Sequence, residues 1–438
     1  MNLSNLLDLA HGNGALAGSP LAADLRLITS LSPDLAATEL SCPDLVELAA
    51  GYAAHRPRPV TAVVLTLNEE ERIARCLTAL ADDVDHCLVI DSASTDDTVE
   101  QALRARDSTR IRSAPWADDF AHQRNLAFTE VTDGWLCHVD ADEVLMPSHA
   151  GRLRRALSVL DYLDPLLDGS ALVVSPVVAD TGGGRAYTNT QRVLRADGPL
   201  RFRGRVHEHP YDPQGQAPAR VEVDVRFEHF GYLPEVIEKR GKRELYVRLA
   251  RQARAEEPDN PKWVYYEIRD ALDRQPPSQN ELRDAFTRLA ASAGDAVPAG
   301  PPGYRCERIV DSWSLLCELA LQLGEAEHLR RYADLLAAAG RTVEATYYGT
   351  LLESSRLLGR LSALVDAITS AEADEELSNR HLMARLFEVQ ATLALASGRY
   401  ETVVPAYRKS VARGAGRSVS EDFEMLARVL AEVPDSAA

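Results

Sequence analysis

Three short apolar runs, residues 60–67, 87–91 and 135–139, each end in a turn rich in carboxylates. The turns are Asn68-Glu69-Glu70, then Asp91 leading into Ser92-Ala93-Ser94-Thr95-Asp96-Asp97, then Asp140-Ala141-Asp142-Glu143. The runs are short and β-branched, which reads as strand, and helical segments such as residues 73–80 separate them. Residues 173–178 read as another strand. Strands alternating with helices build a mainly parallel sheet with both faces covered, and such sheets collect their chemistry at the carboxyl ends of the strands. All three acidic turns fall on that edge.

Asp140-Ala141-Asp142 is the sharpest of them. Two carboxylates one residue apart at a strand end can hold a divalent cation and touch a ribose, and aspartate oxygens suit Mg²⁺ or Mn²⁺, which also bridge diphosphate oxygens. Acidic triplets are common in solvated loops, so the placement beside Asn68, Glu69 and Asp91 carries the reading. Those groups are positioned to hydrogen-bond a nucleoside while a metal grips the diphosphate.

Composition narrows the classes further. The chain has 438 residues, 45% of them apolar and 26% charged, the balance of a globular protein of two or three domains. Its net charge of −18 argues against a phosphate-backbone partner such as DNA or RNA. No apolar run approaches the ~20 residues of a membrane span, and residues 1–10 lack the Lys or Arg that opens a secretory signal. The six cysteines show no CxxC and no zinc spacing, which fits free thiols in a reducing cytoplasm.

The texture changes twice along the chain. Residues 1–57 read as a short helical amino-terminal extension, 58–233 as the α/β domain, and 234–438 as an all-α domain. In the last of these, Gly324, Gly359 and Gly398 are read as breaks between helices, with spacings of 35 and 39 residues, near the ~34-residue period of tetratricopeptide-like (TPR-like) pairs.

Four blocks carry a resemblance: Leu65-Thr66-Leu67-Asn68-Glu69-Glu70, Val89-Ile90-Asp91-Ser92-Ala93-Ser94-Thr95-Asp96-Asp97-Thr98, Gln123-Arg124-Asn125 and Val139-Asp140-Ala141-Asp142-Glu143. In this order they resemble family 2 glycosyltransferases. The resemblance implies a Rossmann-like GT-A fold, a nucleotide-diphosphate sugar donor and inversion at the anomeric carbon. It implies that Leu65, Thr66, Leu67 and Glu69 line the nucleoside pocket and that Asp91 faces the uracil. Arg124 would reach the base or the phosphates, Asp140 and Ala141 the ribose, and Asp142 the metal. Gly204-Arg205-Val206-His207-Glu208, Glu228-His229-Phe230-Gly231-Tyr232 and Glu257-Pro258-Asp259-Asn260-Pro261-Lys262-Trp263 narrow the resemblance. These look like the peptide S-glycosyltransferases of glycocin biosynthesis, the sublancin type.

That subgroup implies transfer of a hexose, with UDP-glucose the expected donor, to a cysteine thiol or a serine of a ribosomally made precursor peptide during bacteriocin biosynthesis. It also implies a homodimer formed through the helical repeat. Three residues keep two readings each. His229 either completes the metal shell or packs between Phe227 and Phe230. Glu208 is either the general base of the transfer, which needs a carboxylate near the acceptor's proton, or half of an ion pair. Trp263 either stacks on the sugar or packs a domain junction. The same core blocks would also serve transfer to a cell-envelope glycan or lipid-linked acceptor, although no basic amphipathic membrane segment is evident.

Overall fold

A computed structural model describes residues 1–12, 16–41, 44–166, 171–181, 184, 186–230, 242–272, 277–298 and 303–431. Cys42, Gly182, Gly183, Gly231, Tyr232 and Pro234 lie outside the described residues. The chain divides into two compact units, Met1–Ser312 and Trp313–Ala438. Helices Lys242–Glu256, Pro261–Leu272 and Gln279–Ala293, which the sequence pattern grouped with a helical domain from residue 234, belong to the first unit.

In the first unit the strands are β1 (Ile28–Leu31), β2 (Val60–Thr66), β3 (His86–Asp91), β4 (Thr109–Ser113), β5 (Trp135–Asp140), β6 (Glu143–Leu145), β7 (Leu172–Asp180), β8 (Ala186–Tyr187), β9 (Val193–Arg195), β10 (Arg201–Arg203), β11 (His209–Tyr211) and β12 (Ala219–His229). The main sheet runs β1-β12-β7-β9-β5-β2-β3-β4, with β6 on β12 and β8 on β7, while β10 and β11 pair separately. The β5-β2-β3-β4 half is parallel and β9 enters antiparallel to β5, giving a GT-A-like mixed sheet. Alternation along β5 separates two cores. Trp135, Cys137 and Val139 join one with Leu77, Leu153 and Leu160, while Leu136 packs on the other face with Leu194 and Phe202.

Local chemistry fixes the covering helices. The buried Asp83 carboxylate accepts from the backbone N–H groups of Gly151, Leu153 and Arg154 at 2.7, 2.8 and 3.2 Å, capping helix Arg152–Leu163 from a distant loop. The amino-terminal segment holds the expected short helices, and it also supplies β1, which pairs with β12 and adds Leu3, Leu6, Leu21 and Leu25 to the main core. Four residues of strand between short helices give too weak a period-2 signal to read in advance.

The second unit is helical throughout its described residues, with helices Ala326–Ala338, Thr342–Ala371, Arg380–Ala396, Tyr400–Val411 and Arg417–Ala431. Gly398 separates two of them as expected, but Gly359 lies inside the 30-residue helix Thr342–Ala371, and the break falls at Gly340 instead. Gly340 takes φ +77° and lets Arg341 donate back to the Leu336 carbonyl at 2.9 Å. Glycine inside a helix costs only about 1 kcal/mol, so Gly359 alone does not stop a helix whose flanks favour it. Among the described residues no helix is long and apolar enough to cross a membrane.

Beneath the β10–β11 hairpin, Lys262 is fully buried and meets Glu307 at 2.6 Å, with the rings of Trp263 and Tyr304 at 5.0 and 4.7 Å from its Nζ. Burial pushes the Glu307 carboxyl upward, but Lys262, His209 and Arg308 outweigh it and hold the pKa at about 2, against an ordinary 4.5. A depressed carboxyl stabilises the fold above its ordinary pKa and loses that contribution as pH falls toward the folded value. Glu307→Gln should therefore cost about 3–5 kcal/mol near neutrality by leaving a buried ammonium uncompensated. Chemical denaturation of both proteins across the acid range should show the gap closing between pH 4.5 and about 2.

Candidate active site

The parallel register brings the acidic turns together. Thr66 pairs with Asp91 across β2 and β3, and Leu65 pairs with Asp140 across β2 and β5, so three strand ends share one edge. Thr66 Oγ1 donates to Asp91 Oδ1 at 3.0 Å, and Ser94 donates to the same carboxylate through its N–H at 3.0 Å and its hydroxyl at 2.5 Å. Asn68 sits at φ +56° and accepts from the Thr95 N–H at 2.8 Å, which locks the first turn onto the second. A non-glycine residue in this region is uncommon and marks a turn held by its surroundings. Glu69 is buried and pairs with Arg72 at 3.2 Å, while Leu65 is half-buried and Leu67 is 50% exposed above the edge. Asp96 accepts from the Thr98 N–H at 3.1 Å and so serves the start of helix Thr98–Ala105.

The third turn is a charged cluster. Arg124 sits on helix Phe120–Asn125, where its neighbour Asn125 bonds both the N–H and the carbonyl of Phe202, at 3.0 and 2.9 Å. That anchor turns Arg124 toward the site. Its Nε donates to Glu208 Oε1 at 2.6 Å and its Nη2 to Asp140 Oδ1 at 3.2 Å. Arg192 donates to both Asp140 oxygens, at 3.0 and 2.9 Å, and to Glu143 Oε1 at 3.0 Å. Burial pushes the Asp140 carboxyl up, but the two guanidiniums outweigh it and hold it well below the carboxylate range. Glu143 moves the other way, raised by burial and by the charge of Asp140 despite Arg192. On the same strand face, His138 is buried between the rings of Phe128 and Phe202 and kept neutral by burial and the nearby guanidiniums.

Asp142 faces the end of β12. Its Oδ1 lies 3.5 Å from His229 Nε2, and the other ring nitrogen meets Asp180 Oδ1 at 3.1 Å. Two donors on one cation with bonds of about 2.1 Å stand about 3.0–3.4 Å apart, so at 3.5 Å Asp142 and His229 lie just beyond that range and a shared cation would draw them together. A carboxylate on the far nitrogen is the usual means of orienting a ligating imidazole. Among the described residues no three His, Cys, Asp or Glu side chains form a metal-binding group. Burial works against charging His229, but Asp142 and Asp180 raise its pKa from 6.5 to about 9.

Trp263 is placed differently from the sugar-stacking reading. It is 1% exposed, its indole N–H donates to Glu257 Oε2 at 2.9 Å, and Lys262 and Tyr304 cover its ring. A Cβ built on Gly204, at φ +110°, would come within 3.0 Å of that ring, so the packing extends to the hairpin backbone. Trp263 supports the hairpin that carries Glu208. Conversely, Arg192, Glu143 and Asp180 are site neighbours that sequence reasoning assigned no role.

Residues 61–224, from β2 into β12, match the family model described as Glycosyl transferase family 2. The chain carries a family 2 glycosyltransferase domain. This glycosyltransferase is 27% identical over 383 residues to the SPbeta prophage-derived glycosyltransferase SunS of Bacillus subtilis, covering 86% of this chain and 85% of that protein. It is 29% identical over 192 residues to a TPR repeat-containing protein of Synechococcus elongatus, covering 42% of this chain and 44% of that protein. The crystal structure of S. aureus TarS 1–349 aligns at 14% identity with a TM-score of 0.30, covering 68% of this chain and 91% of that one.

The raised pKa of His229 is directly measurable in the metal-free glycosyltransferase. Its ring resonances should titrate near pH 9, and Asp142→Asn should pull the midpoint back toward the ordinary 6.5. A wild-type midpoint at or below 6.5 would show that the two carboxylates do not hold the imidazole.

Proposed function

We propose that this glycosyltransferase moves a hexose from a UDP-sugar, UDP-glucose in the first instance, to a cysteine thiol of a ribosomally made precursor peptide, with serine as a slower acceptor. The observation that carries the reading is the 3.5 Å approach of Asp142 to His229 at the strand-end edge of a family 2 domain. The resemblance to glycocin-type S-glycosyltransferases along most of the chain supports the peptide acceptor.

In this reading Asp91, Thr66, Leu65, Leu67 and Glu69 form the nucleoside end of the cleft, Arg124 reaches the base or the phosphates, and Asp140 with Ala141 faces the ribose. Asp142 and His229 would hold Mg²⁺ or Mn²⁺, with the remaining ligands coming from diphosphate and water. When bound, the cation would offset charge on the departing diphosphate.

Glu208 takes the acceptor's proton, with Arg124 holding its Oε1 at 2.6 Å. The new sulfur–carbon bond forms on the face opposite the breaking bond to UDP. A thiol with pKa near 8.5 is already a few per cent thiolate at neutral pH, so it asks less of the base than a hydroxyl does. The net charge of −18 favours a neutral or basic peptide, since like charges slow encounter. Four buried free cysteines, Cys76, Cys87, Cys137 and Cys317, suit a cytoplasmic location. Self-association is assigned to the helical segment, where Val343, Tyr347, Leu357 and Leu364 of helix Thr342–Ala371 are exposed apolar side chains.

Purified enzyme with UDP-glucose, divalent cation and a Cys-bearing loop peptide should add one hexose to the thiol, read by mass spectrometry. Asp142→Ala should abolish that product while leaving the melting temperature close to wild type. Glu208→Gln should slow transfer roughly 10²–10⁴-fold, and less for a thiol than for a hydroxyl. Transfer only to lipid-linked or free-sugar acceptors would replace the peptide reading with a cell-envelope one. A monomer by light scattering at micromolar concentration would count against the dimer.

A further inference from the structure

Asp140 and Asp142 stand two residues apart on one turn, yet their surroundings are unlike. Asp142 faces an imidazole. Asp140 accepts from Arg192 on both oxygens, at 3.0 and 2.9 Å, and from Arg124 on one, at 3.2 Å. Two cations already neutralise this carboxylate, which leaves it a poor ligand for a third. Arg192 also reaches Glu143 at 3.0 Å, and Glu143 Oε2 accepts the backbone N–H of Asp140 at 3.0 Å. One guanidinium therefore holds both the side chain and, through Glu143, the backbone at the start of the turn. The fork geometry suits this, because a planar guanidinium matches two carboxylate oxygens and an ammonium does not.

The backbone around Arg192 is built for the same purpose. Gln191, just before it, takes φ +47° and donates its N–H to the buried Ser175 hydroxyl at 3.2 Å. The Arg192 carbonyl accepts from the His138 N–H at 2.9 Å. Left-handed Gln191, held from β7, and Arg192, held from β5, turn the chain into β9 and aim Arg192 at the turn. Strain of this kind persists only where the surroundings over-determine it.

We infer that Arg192 is a positioning residue that divides the two aspartates, holding Asp140 on the nucleoside side and leaving Asp142 as the carboxylate for the cation. The inference rests on the UDP-sugar reading of this site. Removing Arg192 should release Asp140 and disorder the ribose side of the cleft, so donor affinity falls before the fold does.

The test measures UDP binding with Mn²⁺ by calorimetry, on wild type, Arg192→Ala and Arg192→Lys. Arg192→Ala should weaken UDP roughly 10–100-fold, the usual scale for a group that orients a ligand, and Arg192→Lys should fall between. Added guanidine hydrochloride at millimolar concentration should restore UDP affinity to Arg192→Ala and leave wild type unchanged. Arg195→Ala is the control, because Arg195, at the end of β9 three residues on, pairs with Asp161, Asp164 and Asp197, away from the acidic turn. It should keep wild-type UDP affinity and show no rescue. Wild-type affinity in Arg192→Ala, absence of rescue, or an equal loss in Arg195→Ala would overturn the positioning role. If wild type itself fails to bind UDP with either Mn²⁺ or Mg²⁺, the UDP-sugar reading falls, and this inference falls with it.

Discussion

The pairing of Arg124 and Arg192 with Asp140, Glu143 and Glu208 is the interaction on which the strand-end edge depends. Three carboxylates close together at a half-buried edge would repel one another and resist ionisation. Two guanidiniums make the arrangement tenable, at contacts of 2.6–3.2 Å. The consequence is asymmetric. Asp140 is held firmly ionised, and Glu143 is the carboxyl whose ionisation suffers.

Sheet register is the second constraint. Carboxylates separated by tens of residues become neighbours because parallel strands end level with one another. Leu65 stands opposite Asp140, and His229 stands opposite both Glu143 and Asp180. Since successive side chains alternate faces, a one-residue slip of β12 against β7 would turn His229 away from Asp142. The geometry of the proposed cation site is thus a property of the sheet's hydrogen-bond ladder. Burial of Val221, Val223, Val225 and Phe227 along one face of β12 guards that register.

The hairpin that carries Glu208 depends on a buried polar core. His207, at φ +51°, stacks on Tyr266 at 4.1 Å and meets Asp270 at 2.8 Å, while Lys262 and Glu307 lie beneath His209 and Tyr211. Helix Pro261–Leu272 thereby fixes the direction of a residue on a different element. Trp263 belongs to this support, buried against Lys262 and Tyr304.

The sequence by itself determined the parallel strands, the acidic turns at their ends, the all-helical carboxy-terminal region and the family of the central domain. Those features are written in local patterns, in β-branched runs, in turn residues and in a motif order spanning about eighty residues. The fold decided the rest, because the rest depends on pairings between distant positions. Arg192 lies 52 residues beyond Asp140 with no motif around it, and only the antiparallel entry of β9 beside β5 brings the two together. Asp180 and Asp83 are equally silent in sequence, one orienting His229 and the other capping a helix some 70 residues away. Gly359 reads as a helix break and is not one, and Trp263, open between stacking on a sugar and packing, is packed. An aromatic in a motif and a glycine between apolar stretches each have a local meaning that packing overrides, in one case by burial against Lys262 and Tyr304, in the other by a helix long enough to absorb the glycine.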